Sequence, residues 1–357
     1  MINIIKYRYW YFAFSLLIIV PGVIFLLLGG LKAGIDFTGG TELTFLFKGQ
    51  HSGAILDSRL RNAALVSAKL GEAEVVSATP FGGANAANAN YLLRIPNIGN
   101  DEQKLAEIEA PLYRDYGCGN LVKQYPNGSY ITPLPICSTV VLQLRNDVGP
   151  TIGQQIRSRA VEAVIVAAIF ILLYISFAFR KIAHPFRYGT CAIIALLHDV
   201  LVVLGLFAIF GKLLGVTVDE LFVTAVLTVI GFSVHDTIVI FDRIRENMIK
   251  RVGEPFELVV NNAILQSMAR SLNTSLTVLM TLTTLLVYGG ASIRVFVLTL
   301  LIGITSGTYS SIFNASPLLV VWEYDEFGLG RLFRRRSKSD TVKPTGRSRT
   351  GVAGARQ

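Results

Sequence analysis

Long apolar runs dominate the chain and set its first reading. Residues 11–30 carry no charge, and about 20 residues at 1.5 Å each match a bilayer core of about 30 Å. Similar runs follow at 163–179, 188–210, 221–241, 272–288 and 295–321, the last long enough to tilt or to emerge from the bilayer. Six transmembrane helices are predicted. The first run follows Lys6 and Arg8, lacks a clear small-residue cleavage site and is long enough to span, so it reads as a retained helix.

Between the first two runs the pattern changes. Short alternating stretches at 42–47, 74–78, 91–95 and 139–144 read as strands, and amphipathic stretches at 54–70 and 101–113 read as helices. The order β-α-β-β-α-β is the ferredoxin-like arrangement, in which both helices cover one face of a small sheet. Residues 82–90 then form its hairpin loop, and 117–135, rich in Gly, Pro and Asn, an extra loop. The fold class is thus an α-helical polytopic membrane protein with six transmembrane helices and one α+β ferredoxin-like extracytoplasmic domain. The expected divisions are 1–30 (cytoplasmic N-terminus and first helix), 31–157 (outer domain), 158–323 (helices two to six) and 324–357 (a basic, disordered cytoplasmic tail).

Composition agrees with this picture, and charge orients it. The chain is 52% hydrophobic and only 16% charged, with a mean hydropathy of +0.52, outside the range of soluble domains. Lys6 and Arg8, Arg180, Lys181 and Arg187, then Arg243, Arg245, Lys250, Arg251 and Arg270, and finally Arg331 and Arg334 to Arg336 all fall on one side. By the positive-inside rule that side is cytoplasm. The segment 31–157 carries eleven basic and eleven acidic residues, the balanced surface of a soluble domain held outside. Arginines of the tail could touch anionic lipid or ribosomal RNA, but the reading as a topological anchor is preferred. Cys118 and Cys137 share the outer segment, where a disulfide and two unpaired thiols both remain open.

Catalytic signatures are missing: no Gly-x-Ser-x-Gly, no phosphate-cradling loop ending in Lys, no Cys-x-x-Cys, no His-Glu-x-x-His. The four histidines, at 51, 184, 198 and 235, offer no metal spacing. Neither an enzyme nor a cofactor is therefore expected, and attention moves to charges inside the spans. Asp199 stands about 11 residues, or about 16 Å, into the third run. An ionised carboxyl there costs at least about 2.5–3.5 kcal/mol unless it faces the bundle interior, water or a partner. Asp236 lies toward the cytoplasmic end of the fourth run, where an interfacial and a functional position are equally open. Each follows a histidine, His198 and His235, and the repetition suggests a proton path, although neighbouring helical residues point about 100° apart and need not bond each other. The hydroxyl-rich fifth and sixth runs are read mainly as close helix packing.

Five motifs carry a family resemblance: residues 34–41 (GIDFTGGT), 195–201 (ALLHDVL), 231–247 (GFSVHDTIVIFDRIREN), 269–275 (ARSLNTS) and 307–311 (GTYSS). In this order they resemble the SecF family of protein-export membrane proteins, over about 8–325. The resemblance implies pairing with SecD, action beside the SecYEG channel, with YidC and YajC as further associates, and kinship to the proton-driven RND exporters. It implies that the proton gradient draws emerging preproteins outward, with Asp199 and Asp236 as proton-path carboxyls, to which the His-Asp repetition adds His198 and His235. Gly34, Asp36, Gly39 and Gly40 would form a hinge to the outer domain. His235 departs from the Asn that the family commonly has there. A passive chaperone subunit of the translocon and a small-molecule RND-type exporter are the alternatives.

Overall fold

The structure, a computed structural model, describes residues 3–49, 54–67, 69–70, 73–77, 88–180, 185–290 and 293–324. Residues 1–320 form one compact unit, and a second begins at 321. The tail beyond 324, Lys181 and the loop tip at 82–87 lie outside the described residues.

Six helices among the described residues are long and apolar enough to cross a membrane. They are α1 (Arg8–Gly29), α5 (Pro150–Ala178), α6 (Pro185–Leu214), α7 (Glu220–Lys250), α8 (Phe256–Tyr288) and a sixth that runs Arg294–Ser310, Ser311–Ala315 and Ser316–Glu323. Its outer pieces are α9 and α10, and the five residues between them form a π turn. Several helices outrun their apolar stretches, because an amphipathic surface propagates a helix as well as an apolar one. Beyond the membrane-length portion, α7 continues through ion pairs of Glu246 with Arg243 and Lys250, one turn away on either side. α8 begins 16 residues ahead of its apolar run, and Asn261 near its start accepts a hydrogen bond from the backbone N–H of Ile4 at 2.8 Å.

The domain between α1 and α5 opens with a single helical turn, α2 (Ile35–Thr38). It continues with β1 (Gly40–Lys48), α3 (Ala54–Asn62) with its π extension Ala63–Ser67, β2 (Glu74–Ser77), β3 (Asn88–Ile95), α4 (Glu102–Asp115) and β4 (Val140–Val148). The sheet order is β2-β3-β1-β4 with every neighbouring pair antiparallel, the ferredoxin-like topology expected. Alternation along β1 sends Leu43, Phe45 and Phe47 into the core with Tyr91, Leu93 and Ile95 of β3. Leu56 and Leu60 of α3 and Leu105, Ile108 and Leu112 of α4 close that core from one side. Asp101 caps α4, accepting from the N–H groups of Gln103 and Lys104 at 3.1 Å each.

The 117–135 loop is tied down at two points. Cys118 and Cys137 are joined by a disulfide, which resolves the alternatives left open by sequence, and the side chain of Gln103 both accepts from Tyr130 N–H and donates to its carbonyl. A crosslink closing a loop of this size contributes about 3 kcal/mol by restricting the unfolded chain.

Glu109 of α4 is a buried acid, 6% exposed. Burial, reinforced by the charge of Glu102 and opposed by Arg145, pushes its carboxyl up to about 7. A raised folded-state value favours the protonated form, so its stabilising contribution is complete below the unfolded value near 4.5 and is lost as pH rises through about 7. The loss is on the order of 3 kcal/mol. Glu109→Gln should therefore raise the unfolding temperature at pH 8 and leave it nearly unchanged at pH 4.5. Equal shifts at both pH values would show that the group is not held neutral by burial.

The junction between domain and bundle is stitched at backbone level. Ala33 forms a parallel bridge with Val218 in the loop between α6 and α7. Gly34 N–H donates to Val218 O at 2.7 Å, and Val218 N–H to Lys32 O at 2.8 Å. Asp36 Oδ2 accepts from Glu220 N–H at the start of α7, and Arg94 of β3 pairs with Glu42 at 2.8 Å and donates to Thr217.

Candidate functional site

Asp199 is in the interior of α6 and 1% exposed. Three hydroxyls from two other helices converge on its carboxylate. Ser233 of α7 donates to Oδ2 at 2.5 Å, Ser310 of α9 to Oδ2 at 2.7 Å and Ser306 of α9 to Oδ1 at 2.8 Å. His198 Nδ1 lies 3.0 Å from Oδ1, so the adjacent pair does meet despite the angle between successive helical residues. The histidine's Nε2 is buried without a partner, and its ring stacks beside Tyr309 with centroids 6.4 Å apart.

The sequence also supplies the packing that brings these helices so close. A Cβ on Gly307 would lie 2.9 Å from Ser233 Cβ, and one on Gly303 would overlap Val229. The glycines let α9 lie against α7, and Ser306 and Ser310, one turn apart, then face the same carboxyl. The hydroxyl cluster continues toward the next turn: Thr237 and Ser311 share a 2.9 Å hydrogen bond, and Ser275 of α8 and Thr308 another at 2.6 Å. The π turn starts at Ser311, directly after Ser310. Such single-turn widenings recur at functional sites in helices.

Asp236 is three residues past Ser233, 3% exposed and therefore within the bundle rather than at its rim. Its Oδ2 and the hydroxyl of Ser271 on α8, which it faces, are both buried and make no hydrogen bond of ordinary geometry. His235 points away, exposed on the outside of α7. The four residues are thus divided: His198 and Asp199 form one cluster, Asp236 lies apart toward the basic end of α7, and His235 joins neither.

Gly34, Gly39 and Gly40 are each in close backbone contact. A Cβ on Gly34 would lie 2.9 Å from Val218 O; on Gly39, at φ +77°, 2.8 Å from Pro150 Cα; and on Gly40, at φ +147°, 2.9 Å from Ile95 O. Residues 34–40 are consequently wedged between the 215–219 loop and the head of α5, whose Gly153 packs on Phe37.

Ser306 and Ser310 were read from sequence, with the other small and hydroxyl residues of the sixth span, mainly as packing, and Ser233 was not singled out. The available signal was the four-residue spacing of two serines in a span already known to be rich in small residues, which packing alone also explains.

A model of the SecD/SecF protein-export membrane protein C-terminal region matches residues 138–325, including every residue around Asp199. The protein translocase subunit SecF of Thermobaculum terrenum is 50% identical over 94% of this chain and 98% of its own length. The chain belongs to the SecF family. The SecF subunit of Anaerolinea thermophila is 39% identical over 92% of this chain and 96% of its own length. Among solved structures, SecDF from Thermus thermophilus superposes with a TM-score of 0.70 at 29% identity, covering 90% of this chain and 39% of that one. A second SecDF crystal structure, in a super-membrane-facing form, gives 0.60 at 30% identity over 93% and 40%. This SecF-family chain therefore spans about two fifths of those SecDF chains, and its role is in Sec protein export.

Proposed function

We propose that the chain is the SecF half of a proton-driven export accessory: with SecD, it uses the proton gradient across the cell membrane to draw preproteins out of the SecYEG channel. Both termini lie in the cytoplasm and the ferredoxin-like domain outside. The observation that carries this reading is Asp199, a carboxyl inside the bundle that, among the described residues, is met by three hydroxyls and one imidazole and by no Lys or Arg.

Such a cradle responds to a proton. As a carboxylate, Asp199 accepts from three serines. Once protonated it must itself donate, either to His198 Nδ1 or to a serine whose own O–H then turns to another acceptor. Ser310 already has a second acceptor at hand, Gly307 O at 3.2 Å. Loading and unloading therefore changes the fit of α9 on α6 and α7. The α6–α7 loop that is stitched to Ala33 and Gly34 then offers a route from that change to the outer domain. A potential of 100 mV contributes about 2.3 kcal/mol per charge moved across it, enough to bias two packings of similar energy.

Association with SecD fits the outside of α7, where Thr224, Thr228, Gly231 and His235 form an exposed polar stripe at helical spacing. Polar groups in that position belong against protein rather than hydrocarbon. Fused relatives carry both halves in one chain, as in the SecDF of Thermus thermophilus.

The reading is tested in vesicles containing SecYEG, SecD and this chain, by timing the appearance of a translocating precursor at the outer face. Release should accelerate when a proton gradient is imposed and slow when an ionophore collapses it. A rate indifferent to the gradient would leave only a passive chaperone.

A further inference from the structure

A groove of about 520 Å³ opens on the bundle between α1 and α5, at the domain end of the membrane. Its walls are apolar: Leu26 of α1, Val161 and Val164 of α5, Leu204 of α6 and Val226 of α7, with Phe37 of the junction as roof. A single cation, Arg157 of α5, stands among the lining residues. Arg157 is exposed, and no ion pair engages it among the described residues.

Depth identifies what this cation meets. Arg157 and Arg180 are 23 residues apart along and just past α5, which is about 34 Å. The apolar run of α5 begins at residue 163, so Arg157 stands about 9 Å outside it along the helix, at the level of the headgroup layer of the domain-side leaflet. The groove descends from that level to Ile165 and Val200, about halfway down α5 and α6. An apolar slot reaching mid-bilayer beneath an uncompensated guanidinium has the shape and charge of one lipid, and guanidinium is the side chain best matched to a phosphodiester.

We propose that this groove is a specific site for one phospholipid of the domain-side leaflet, with an acyl chain between α1 and α5 and the phosphate on Arg157. A net-negative headgroup is preferred, because no acidic residue lines the groove. The bound chain packs beneath Phe37 and Thr38 and so braces the segment that joins bundle to domain. The inference stands apart from the proton-driven reading and survives if that reading fails.

The test uses the full-length chain in nanodiscs of mixed phosphatidylglycerol and phosphatidylcholine, followed by gentle release and native mass spectrometry. Wild type should retain one phosphatidylglycerol in preference to phosphatidylcholine. Arg157→Gln, at an exposed position, should lower that preference at least about fivefold at an unchanged melting temperature, the loss of one charged contact to phosphate. Val164→Trp should fill the slot and abolish retention, with an unchanged melting temperature marking it as folded. Equal retention of both lipids by wild type and Arg157→Gln would overturn the proposal. So would a photocrosslinker at Val161 that captures SecD or another protein rather than lipid.

Discussion

Replacing Asp199 with Asn is expected to abolish the gradient-dependent part of precursor release, down to the rate measured with the gradient collapsed, while the protein remains in the membrane at wild-type level. Asn keeps the volume and one carbonyl oxygen, so Ser233 or Ser310 retains an acceptor and the α6, α7 and α9 crossing survives. What disappears is the group that alternates between accepting three hydroxyls and donating one hydrogen bond. A Ser306→Ala, Ser310→Ala pair should act more mildly: it leaves the carboxyl but removes two of its donors, at about 1–3 kcal/mol each for a buried charged acceptor. If Asp199→Asn still accelerates release when the gradient is imposed, the carboxyl is a packing element and the proton path lies elsewhere.

The second large effect is structural. Gly22 of α1 and Gly205 of α6 meet so closely that a Cβ on either would stand 2.7 Å from the other's Cα. Backbone cannot yield as the end of a flexible side chain can, so Gly22→Val must push the two helices apart. Overpacking of this kind costs about 1–3 kcal/mol or more. Separation of α1 also breaks its far contacts, the reciprocal Ser15–Asn314 hydrogen bonds and the bond from Tyr309 hydroxyl to Tyr11 O. The expected outcome is a sharp fall in the amount of protein accumulating in the membrane and a lowered unfolding midpoint in detergent. A Gly22→Val chain with wild-type abundance and midpoint would mean that the crossing is looser than the geometry states.

Six spans and a βαββαβ domain were legible because each depends on a pattern local in sequence: apolar length in one case, period-two and period-3.6 alternation in the other. The strands at 42–47 and 91–95 fall inside β1 and β3, while the strand at 139–144 and the helix at 101–113 start one residue ahead of β4 and α4 and end a few residues short of them. Depth alone marked Asp199. Its surroundings were another matter, since whether Ser233 or Thr228 faces a carboxyl on another helix depends on rotation about the helix axis and on which helices are neighbours. For the same reason His235 read as equivalent to His198, although one faces outward and the other touches its aspartate. The disulfide likewise needed the fold, because β4 and the end of α4 must first bring Cys118 and Cys137 to a Cα separation of 5.8 Å.

The widened turn at Ser311–Ala315 gives the last membrane helix two independent phases. Upstream of it, the helix surface is indexed to Asp199 through Ser306 and Ser310. Within it, Asn314 is indexed to α1 through Ser15. The extra residue of the π turn shifts the face that Asn314 presents to α1 relative to an α-helix continued unbroken from Tyr309, which itself reaches α1 at Tyr11 O. The slip in register lets a single rod serve two clients, and a rotation of its upper half need not be transmitted to its lower half.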